Sequence, residues 1–335
     1  MRAVVLVGGL GTRLRPLTLS TPKQMLPVAG RPMVERVVAH LASHGVDEVV
    51  LSLGYRPDAF RRAYPDAVCA GVRLVYAVEP EPLDTAGAIG FAARSAGVDE
   101  RFLVVNGDVL ADVDLSALVT FHERVGAEGT VQLIPVDDPS SFGVVATDDE
   151  GRVQAFVEKP APGEAPSNLI SAGFYVLEPE VLDRIPGGRR VNVEREVFPA
   201  MVDDGVLWAR DEQAWWIDVG TPDRYLQASL DLLDREPPPS VVRSDDAMVA
   251  ASAVVRRSAL GPGARVGPRA RVEDSVVFAR GVVESDAVVR RSIVGPAAVV
   301  GRGAVVSDVS VLGYATEVAD GAELAGALVP GPESW

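Results

Sequence analysis

The sequence predicts two domains, an α/β domain with a mostly parallel sheet and, after it, a parallel β-helix. Three observations support this. Short apolar runs alternate with helical stretches over residues 1–230, and three consecutive prolines at 237–239 then interrupt the chain. Beyond them, apolar residues recur at intervals of six, a spacing that suits the short flat strands of a β-helix. A chain of 335 residues also exceeds one ordinary domain.

The α/β domain is predicted from its alternating elements. Residues 3–7 are apolar and mostly β-branched, which indicates a buried strand. Further apolar runs lie at 49–53, 72–78 and 102–105, and helical stretches at 33–43 and 86–96. Strands that alternate with helices form a mostly parallel sheet, and ligands bind at the carboxyl ends of such strands. We therefore expect the glycine loop after the first strand and Asp108 to share one crevice.

The second domain is predicted from its six-residue repeat. Prolines cannot continue a helix, so we predict domains at 1–234 and 242–330, joined by a proline-rich linker at 235–241. Steps of six would scatter side chains over three faces of an α-helix. The first run ends at Phe278 and the second starts at Val288, so we expect a protruding loop or a register break at 279–287. The repeating residues are Met248, Val254, Leu260, Val266, Val272, Phe278, Val288, Val294, Val300, Val306, Leu312, Val318 and Leu324.

Composition excludes several classes of protein. The net charge of −15 argues against nucleic-acid binding, so any attraction for an anionic substrate must be local. No apolar stretch approaches the roughly 20 residues that a membrane span needs. The chain starts in a strand rather than in a signal peptide, and the single Cys69 cannot form an internal disulfide. These features predict a cytoplasmic protein.

A glycine loop with nearby cations predicts phosphate binding. Residues 8–13 read Gly-Gly-Leu-Gly-Thr-Arg, and glycines let successive backbone N–H groups approach phosphate oxygens. The loop matches neither the Walker pattern nor the dinucleotide pattern. Arg13, Arg15 and Lys23 add positive charge beside it. Lys23 and Lys159 are the only lysines in the chain, and a lysine is a compact point charge suited to a phosphate oxygen.

Residues 6–23 resemble the N-terminus of the sugar-1-phosphate nucleotidyltransferases, also called NDP-sugar pyrophosphorylases. The Leu-Val-Gly-Gly start is typical of the GDP-mannose pyrophosphorylases within that family. Further segments match in family order at 79–87, 105–108, 142–145, 156–160, 170–175 and 216–222. The resemblance implies a Rossmann-like nucleotidyltransferase domain and a C-terminal left-handed parallel β-helix.

The resemblance also implies a reaction. A sugar 1-phosphate oxygen attacks the α-phosphorus of a nucleoside triphosphate in line, giving NDP-sugar and pyrophosphate, so the partners are these two substrates. Mg²⁺ is the implied cofactor, because it prefers carboxylates together with phosphate oxygens. Asp108 and Asp218 match the family's metal ligands. The alternative for each is an ordinary helix or turn cap.

Roles for other residues follow from the same match. Arg13 would hold the β- and γ-phosphates, and Lys23 would stabilise charge around the α-phosphate. Lys159 would hold the sugar phosphate, Glu158 would accept sugar hydroxyls, and the Gly143 amide would face the sugar ring. The alternative for Glu158 and Lys159 is a surface ion pair. The implied nucleotide site comprises Leu6, Gly8, Gly9, Gly11, Thr12, Arg13, Glu79, Asp84, Thr85 and Ala86.

The substrates are predicted from Glu79 and from two departures from the family pattern. A carboxylate at Glu79 can accept from both N1–H and N2–H₂ of guanine, so we expect GTP, with mannose 1-phosphate as the acceptor. Asp84 stands where the family has Gly, and Ser171, in the implied sugar site, stands where the family has Asn. These departures leave open dTTP, UTP or ATP, and a non-standard sugar or cyclitol 1-phosphate.

The β-helix raises a further alternative, since several such folds are acyltransferases. That chemistry generally uses a histidine base, and the only histidines, His40, His44 and His122, all precede the β-helix. They are predicted to be surface or packing residues. We therefore predict that the β-helix is structural or mediates a homo-oligomer. A non-catalytic, NDP-sugar-binding regulatory subunit is the second alternative, although the key charges of an active enzyme are all present.

Overall fold

The computed structural model describes residues 1–54, 56–161, 163–235 and 240–335. The chain divides into two compact units. The first unit comprises Met1–Gly9 and Val34–Ile217, and the second comprises Leu10–Met33 and Asp218–Trp335. Residues 10–33 and 218–234, which we assign to the first domain from the sequence, therefore group with the β-helix. Most of the predicted linker, residues 236–239, lies outside the described residues.

The elements before the linker follow the predicted alternation of strand and helix. The helices are α1 (Met33–Ser43), α2 (Pro57–Ala63), α3 (Asp84–Ser95), α4 (Leu115–Val125), α5 (Phe198–Asp203) and α6 (Pro222–Asp234). The strands are β1 (Arg2–Leu6), β2 (Pro27–Val28), β3 (Arg31–Pro32), β4 (Glu48–Leu53), β5 (Val68–Cys69), β6 (Val72–Val78), β7 (Phe102–Asn106), β8 (Val109–Ala111), β9 (Gly129–Pro135), β10 (Gly143–Thr147), β11 (Val153–Glu158), β12 (Leu169–Leu177), β13 (Leu207–Asp211) and β14 (Trp216–Asp218). Within the part of the chain that the structure describes, no helix has both the length and the apolar character needed to cross a bilayer.

The first unit is built on one large sheet in the order β11-β10-β12-β7-β1-β4-β6-β5, with β9 beside β12 and β13 beside β9. The four strands β7, β1, β4 and β6 are parallel, and β4 is buried along its whole length. Antiparallel strands flank this centre. The predicted α/β class is confirmed, although the sequence pattern does not reveal the antiparallel flanks.

The parallel strands bring the predicted strand-end residues to one edge of the sheet. Leu6 lies in register with Asn106 on one side and with Ser52 on the other. The N–H of Gly107 donates to the carbonyl of Leu6 at 3.0 Å. Gly8 and Asp108 therefore follow neighbouring strands at the same edge, as expected.

The second unit contains the left-handed parallel β-helix, which confirms the predicted class. Its strands stack into three parallel sheets that begin with β15, β16 and β17. The strands are β15 (Val241–Arg243), β16 (Met248–Val249), β17 (Val254–Arg256), β18 (Ser258–Leu260), β19 (Arg265–Val266), β20 (Arg271–Glu273), β21 (Val276–Val277), β22 (Val282–Val283), β23 (Val288–Arg290), β24 (Ile293–Val294), β25 (Val299–Val300), β26 (Val305–Ser307), β27 (Val311–Leu312), β28 (Glu317–Val318), β29 (Glu323–Ala325) and β30 (Leu328–Val329).

The coil of this β-helix differs from the predicted strict repeat of six. Ala259 pairs with Val276 and Val276 with Ile293, so each of these coils takes 17 residues. The interval between interior residues is therefore five once in each such coil. The interior residues include Leu260, Val266, Val272, Val277, Val283, Val289, Val294, Val300, Val306, Leu312 and Val318.

The prediction of a protruding loop at 279–287 is wrong, because the 17-residue coil accounts for the irregular spacing without a loop. This stretch runs through the body of the β-helix, where β22 pairs with β19 and with β25. The register does shift, but it shifts earlier, because the interior position moves from Val272 to Val277 rather than to Phe278. Met248, the first member of the predicted repeat, is 53% exposed and so lies outside the core.

The three histidines are buried or half-buried. His122 is buried and hydrogen-bonds Thr130 at 2.7 Å and Glu178 at 3.1 Å. The rings of His40 and His44 pack edge to face, with their centroids 4.9 Å apart. All three belong to the first unit.

Candidate functional site

The ends of β1 and β4 approach closely at Gly8. A Cβ on Gly8 would lie 3.3 Å from Oε1 of Glu79, and a Cβ on Gly54 would lie 3.1 Å from the Gly8 carbonyl oxygen. Both distances are shorter than most real side chains show. The close approach of backbone and carboxylate at this edge therefore depends on two missing side chains.

Glu79 is a buried carboxylate with partners on both oxygens. Oε1 accepts from the Ser52 hydroxyl at 3.0 Å, and Oε2 accepts from the Leu83 N–H at 3.1 Å. Glu79 therefore fixes the turn between β6 and α3. Because each carboxylate oxygen has two lone pairs, each oxygen can accept one more hydrogen bond beyond these.

The backbone conformation of Asp84 favours glycine, which is the residue that the family has at this position. Its φ is +61°, a left-handed conformation that glycine adopts at little cost and that aspartate tolerates better than most residues. Its Oδ1 accepts from the Thr85 N–H at 2.8 Å and from the Asn192 amide at 3.0 Å. The carboxylate that replaces the glycine is thus held against the start of its own helix and against Asn192.

The predicted sugar-phosphate residues lie on neighbouring strands. Gly143 on β10 pairs in register with Glu158 on β11, and a Cβ on Gly143 would lie 2.9 Å from the Phe156 ring and 3.2 Å from Oε2 of Glu158. Nζ of Lys159 lies 2.7 Å from Oε1 of Glu158, and the Lys159 side chain is 59% exposed. The ion pair between Glu158 and Lys159 is therefore present, on a surface that a ligand can reach.

No sequence motif identifies a second carboxylate in this region, that of Glu194. Glu194 lies in a π-helical turn, Val193–Val197, a feature that often marks functional sites. Its carboxylate accepts from the Thr85 hydroxyl at 3.1 Å and from the Tyr175 hydroxyl at 3.4 Å. The Ser171 hydroxyl lies 3.4 Å from the Tyr175 oxygen. Glu194 thus joins the predicted nucleotide residue Thr85 to the predicted sugar residue Ser171.

Electrostatics distinguish Glu194 from a surface carboxylate. Burial raises its pKa above the ordinary value of 4.5, and the nearby charges of Glu158 and Asp84 raise the pKa further. The hydrogen bond from Thr85 works in the opposite direction. Burial also raises the pKa of the Tyr175 hydroxyl well above its usual range.

The raised pKa gives a testable pH dependence for Glu194→Gln. A carboxyl whose pKa is raised by folding stabilises the protein fully below its unfolded pKa, and that stability is lost as pH rises through the folded pKa. Glutamine cannot ionise and keeps an acceptor for Thr85. We therefore expect the Tm of Glu194→Gln, relative to wild type, to increase by a few degrees as the pH rises above the ordinary carboxyl value of 4.5.

The matched control for that measurement is Glu150→Gln, since Glu150 is an exposed carboxylate. The Tm difference between this variant and wild type is the baseline for comparison. Thermal melts of the three proteins across the pH range are the measurement. If the Tm difference between Glu194→Gln and wild type follows that baseline, Glu194 does not carry a raised pKa.

Asp108 is placed by a glycine that leaves no room for a side chain. A Cβ on Gly107 would lie 2.6 Å from the Leu6 carbonyl oxygen and 2.7 Å from a Val7 methyl carbon. The chain therefore turns tightly against β1 immediately before Asp108. The half-buried carboxylate of Asp108 follows the end of β7, at the edge where β1 also ends.

The second unit holds the rest of the glycine loop. Gly11 has a φ of +62°, and a Cβ there would lie 3.0 Å from Thr18 and 3.2 Å from Lys23. The Thr18 hydroxyl donates to the Gly11 carbonyl at 2.8 Å. Lys23 is only 5% exposed. The loop therefore folds back on itself, with its lysine packed against Gly11.

Arg13 and Asp218 lie side by side in this unit. A Cβ on Gly220 would be 2.8 Å from Nη2 of Arg13 and 3.1 Å from Oδ1 of Asp218. Arg13 is exposed and Asp218 is half-buried. Two predicted site residues that are far apart in the chain are thus brought together around one glycine.

Comparison with known proteins decides the family. Residues 2–235 match the Nucleotidyl transferase family, and residues 238–333 match the GMPPB C-terminal domain. The chain belongs to the nucleotidyl transferase family. The resemblance stated from the sequence is thereby confirmed over both parts of the chain.

This nucleotidyl transferase is similar in sequence to proteins named as mannose-1-phosphate guanylyltransferases or guanyltransferases. It is 42% identical over 287 residues to the mannose-1-phosphate guanylyltransferase of Mycobacterium tuberculosis, covering 82% of this chain and 79% of that protein. It is 43% identical over 230 residues to the mannose-1-phosphate guanyltransferase of Schizosaccharomyces pombe, covering 68% of this chain and 62% of that protein. It is 38% identical over 290 residues to the probable mannose-1-phosphate guanylyltransferase 3 of Oryza sativa, covering 84% and 79%.

Solved structures resemble this nucleotidyl transferase over about two thirds of its length. HddC from Yersinia pseudotuberculosis, complexed with GMP-PN, superposes with a TM-score of 0.59 at 28% identity, covering 69% of this chain and 99% of that one. The UDP-glucose pyrophosphorylase from Acinetobacter baumanii superposes with a TM-score of 0.61 at 25% identity, covering 71% and 94%.

The predicted site residues of this nucleotidyl transferase fall into two sets. The first unit carries Leu6, Gly8, Gly9, Glu79, Asp84, Thr85, Ala86, Asp108, Gly143, Glu158, Lys159 and Ser171, and the second carries Gly11, Thr12, Arg13, Lys23 and Asp218. Glu194 has no motif of its own in the sequence. Its only signal is its place just before the apolar pair Val197 and Phe198, which is too weak to identify a site.

Proposed function

We propose that this nucleotidyl transferase joins GTP to mannose 1-phosphate, releasing pyrophosphate and forming GDP-mannose. The observation that carries the proposal is the 42% identity to a mannose-1-phosphate guanylyltransferase across 82% of the chain, a match too long to end before the β-helix. A mannose 1-phosphate oxygen forms a bond to the α-phosphorus of GTP, and the bond from that phosphorus to the oxygen bridging it to the β-phosphate breaks. Catalysis of this kind depends on positioning and on charge neutralisation.

Arg13 and Lys23 are proposed to act on the triphosphate. The exposed Arg13 guanidinium would hold the β- and γ-phosphates and the departing pyrophosphate. Lys23, packed against Gly11, would offset negative charge around the α-phosphate. The backbone of the glycine loop would supply N–H donors, which suits a stretch rich in glycine. These donors would come from Gly8, Gly9, Gly11 and Thr12.

Mg²⁺ is the proposed cofactor, with Asp108 and Asp218 as its protein ligands. The donor set fits this ion, because each residue offers a half-buried carboxylate at or just after the end of a strand. Mg²⁺ is usually held by one or two carboxylates and completes its coordination with substrate phosphates and water. When bound, the ion would neutralise phosphate charge.

The sugar phosphate is proposed to bind beside β10 and β11. Lys159 would contact the phosphate, and in doing so it would leave its ion pair with Glu158. Glu158 would then accept hydrogen bonds from sugar hydroxyls, next to the Gly143 amide. Ser171 is shorter than the family's Asn, and Tyr175 links it to Glu194. Glu194 is therefore proposed as a positioning residue for this side of the site.

Glu79 is proposed to select guanine. Ser52 and Leu83 hold its carboxylate in one orientation, which lowers the entropy cost of ordering it on binding. Its remaining lone pairs would accept from N1–H and N2–H₂. A bidentate base contact is worth about 1–3 kcal/mol, so we expect Glu79→Gln to reduce the preference for GTP over UTP and dTTP by roughly tenfold or more.

The control for the measurement of nucleotide preference is Asp84→Gly, which restores the residue that the family has at this position. The left-handed φ at this position suits glycine, so the variant should fold well and keep the wild-type nucleotide ranking. The kcat/KM values for GTP, UTP, dTTP and ATP measure the effect. If Asp84→Gly changes the ranking and Glu79→Gln does not, Asp84 and not Glu79 reads the base.

Pyrophosphate release from a panel of nucleotides and sugar 1-phosphates tests the function as a whole. We expect the highest kcat/KM with GTP and mannose 1-phosphate. A higher value with UTP or dTTP would contradict the proposed base. A higher value with another hexose or a cyclitol 1-phosphate would contradict the proposed sugar. Absence of release from every pair, with retained GDP-mannose binding, would instead indicate a regulatory subunit.

A cytoplasmic location and a homo-oligomer are also proposed. The reduced, buried Cys69 and the nucleotide substrate suit the cytoplasm. The stacked sheets of the β-helix offer extended faces for self-association. Light scattering on the full chain would reveal a homo-oligomer as a mass above 35.3 kDa.

A further inference from the structure

The β-helix belongs to the same compact unit as the residues that carry Arg13 and Lys23. These residues, which we call the 10–33 segment, end at the first residue of α1, whereas the β-helix starts after residue 240. Helix α6, which starts four residues after Asp218, belongs to this unit as well. The proposed function uses Arg13, Lys23 and Asp218, and gives the β-helix no part in the reaction.

Tyr225 on α6 links the 10–33 segment to the β-helix. Its hydroxyl donates to the carbonyl of Pro27, which follows Lys23 by four residues. Its ring lies 6.1 Å from the ring of Phe278, measured between centroids. Tyr225 is fully buried, and Phe278 is 3% exposed. Phe278 is buried outside the coil of the β-helix, because Val277 takes the interior position there.

Two further contacts join the 10–33 segment to the β-helix. A Cβ on Gly30 would lie 2.7 Å from a methyl carbon of Val242 on β15. A Cβ on Gly313 would lie 3.1 Å from Cβ of Pro16, three residues after Arg13. Val242 lies on the sheet that contains β15, β21 and β27, and Gly313 directly follows β27. The segment therefore contacts one side of the β-helix near both of its ends.

Ion pairs connect each end of helix α6 to the β-helix. Arg257 donates to both carboxylate oxygens of Asp234, at 2.7 and 2.6 Å. Arg291 lies 3.7 Å from Asp223 in the first turn of the helix. Hydrogen bonding from Arg257 lowers the pKa of the Asp234 carboxyl, so this pair is charged at neutral pH. The position of α6 is thus set by the β-helix.

A cavity beside Phe278 leaves the packing between the 10–33 segment and the β-helix incomplete. It has a volume of about 160 Å³ and is bounded by Thr21, Pro27 and Gly30 on one side and by Gly261 and Phe278 on the other. Atoms that face a cavity lose dispersion contacts. Beside this cavity, the hydrogen bond from Tyr225 to Pro27 and the packing of Phe278 on Tyr225 remain as contacts between the segment and the β-helix.

From these contacts we infer that the β-helix positions the 10–33 segment, and that Tyr225 and Phe278 are the positioning residues through which it acts. The inference rests on the proposed function for the roles of Arg13 and Lys23. Neither Tyr225 nor Phe278 touches substrate in this scheme. Their effect is to keep the segment in the conformation that accepts a nucleoside triphosphate.

Kinetics of full-length Tyr225→Phe and Phe278→Ala test the inference. The segment carries Arg13, which would hold the β- and γ-phosphates, so we expect the KM for GTP to rise about tenfold in Phe278→Ala and about threefold in Tyr225→Phe. It also carries Lys23, and a small misplacement of catalytic groups lowers rates by up to about a hundredfold, so kcat should fall in both variants. The KM for mannose 1-phosphate should change by less than about twofold, because Glu158 and Lys159 belong to the other unit. Phe278→Leu, which refills most of the volume, should recover most of the GTP affinity.

The matched control is Val289→Ala. Val289 is fully buried inside the β-helix, on a different sheet from Val242. Its truncation lowers β-helix stability without reaching the 10–33 segment, and Tm values place the variants on a common scale. If Val289→Ala raises the KM for GTP as much as Phe278→Ala at equal loss of Tm, or if neither Tyr225→Phe nor Phe278→Ala raises it, the inference is wrong.

Limited trypsin digestion separates this inference from the proposed function, because it needs no substrate. Arg13 is exposed, so cleavage after it, identified by the mass of the fragments, reports how well the segment is held. We expect this cleavage to be several-fold faster in Phe278→Ala than in wild type and Val289→Ala. Faster cleavage with no turnover of GTP by wild type would support the positioning role and contradict the proposed substrates. Equal cleavage in all three proteins would overturn the positioning role, whatever the substrates are.

Discussion

Asp108→Asn and Asp218→Asn are each expected to lower kcat with GTP and mannose 1-phosphate by about a hundred- to a thousandfold. Both replacements keep the size of the side chain and remove its negative charge. The remaining amide is a poor ligand for Mg²⁺, so the phosphate charge that builds up in the transition state loses its neutralisation. Steady-state rates over a range of Mg²⁺ concentrations are the measurement. Each variant should also need more Mg²⁺ for half-maximal rate.

The control is Asp203→Asn, an equal change of charge at an exposed residue that ends α5. It should keep the wild-type rate. Thermal melts check that the folds are intact, and Asp218 is the more demanding case because it lies beside Arg13. Near-normal turnover of both Asp108→Asn and Asp218→Asn at the same Mg²⁺ concentration would show that these carboxylates do not hold the metal.

The sequence predicts the central parallel strands of the first unit well, because their apolar runs are a strong local signal. The apolar runs of β1, β4 and β7 are recognisable because strands buried on both faces are almost continuously apolar. Gly8 follows β1 and Asp108 follows β7, and parallel neighbours end at the same edge, so their proximity is predictable. The antiparallel flanks β9 to β12 carry no comparable signal, since their partners are set by packing across the sheet.

In the β-helix, the six-residue period predicts the correct fold class but the wrong positions for some interior residues. Six-residue intervals identify the coil, but valines stand at outward as well as inward positions. The pattern therefore continues to Phe278 although the interior position has already moved to Val277. Only the pairing of Ala259 with Val276 and of Val276 with Ile293 shows the 17-residue coil. Phe278, one of the residues that the pattern misassigns, contacts Tyr225.

Long-range contacts account for the remaining differences. The grouping of residues 10–33 with the β-helix depends on contacts between residues that are far apart in the chain, such as Gly30 and Val242. The role of Glu194 depends on Thr85 and Tyr175, which no local motif connects to it. Both features follow from the tertiary fold, which a reading of local patterns does not supply.

Lys23→Gln and Lys159→Gln are expected to have large effects of different kinds. Lys23 is 5% exposed and packs against Gly11, so its charge acts on a site that water reaches poorly. A charge in such a place interacts more strongly than one in water. We expect Lys23→Gln to lower kcat by about a hundredfold or more, with a small change in the KM for mannose 1-phosphate.

Lys159 differs because its side chain is 59% exposed and already paired with Glu158. An exposed cation contributes mainly to binding, so Lys159→Gln should raise the KM for mannose 1-phosphate about ten- to a hundredfold and change kcat much less. Arg62→Gln removes an equal charge from an exposed position on α2 and should match wild type in both constants. An unchanged KM for mannose 1-phosphate in Lys159→Gln would exclude Lys159 from the sugar-phosphate site. A fall in kcat for Lys159→Gln as large as that for Lys23→Gln would mean that both lysines act on the transition state.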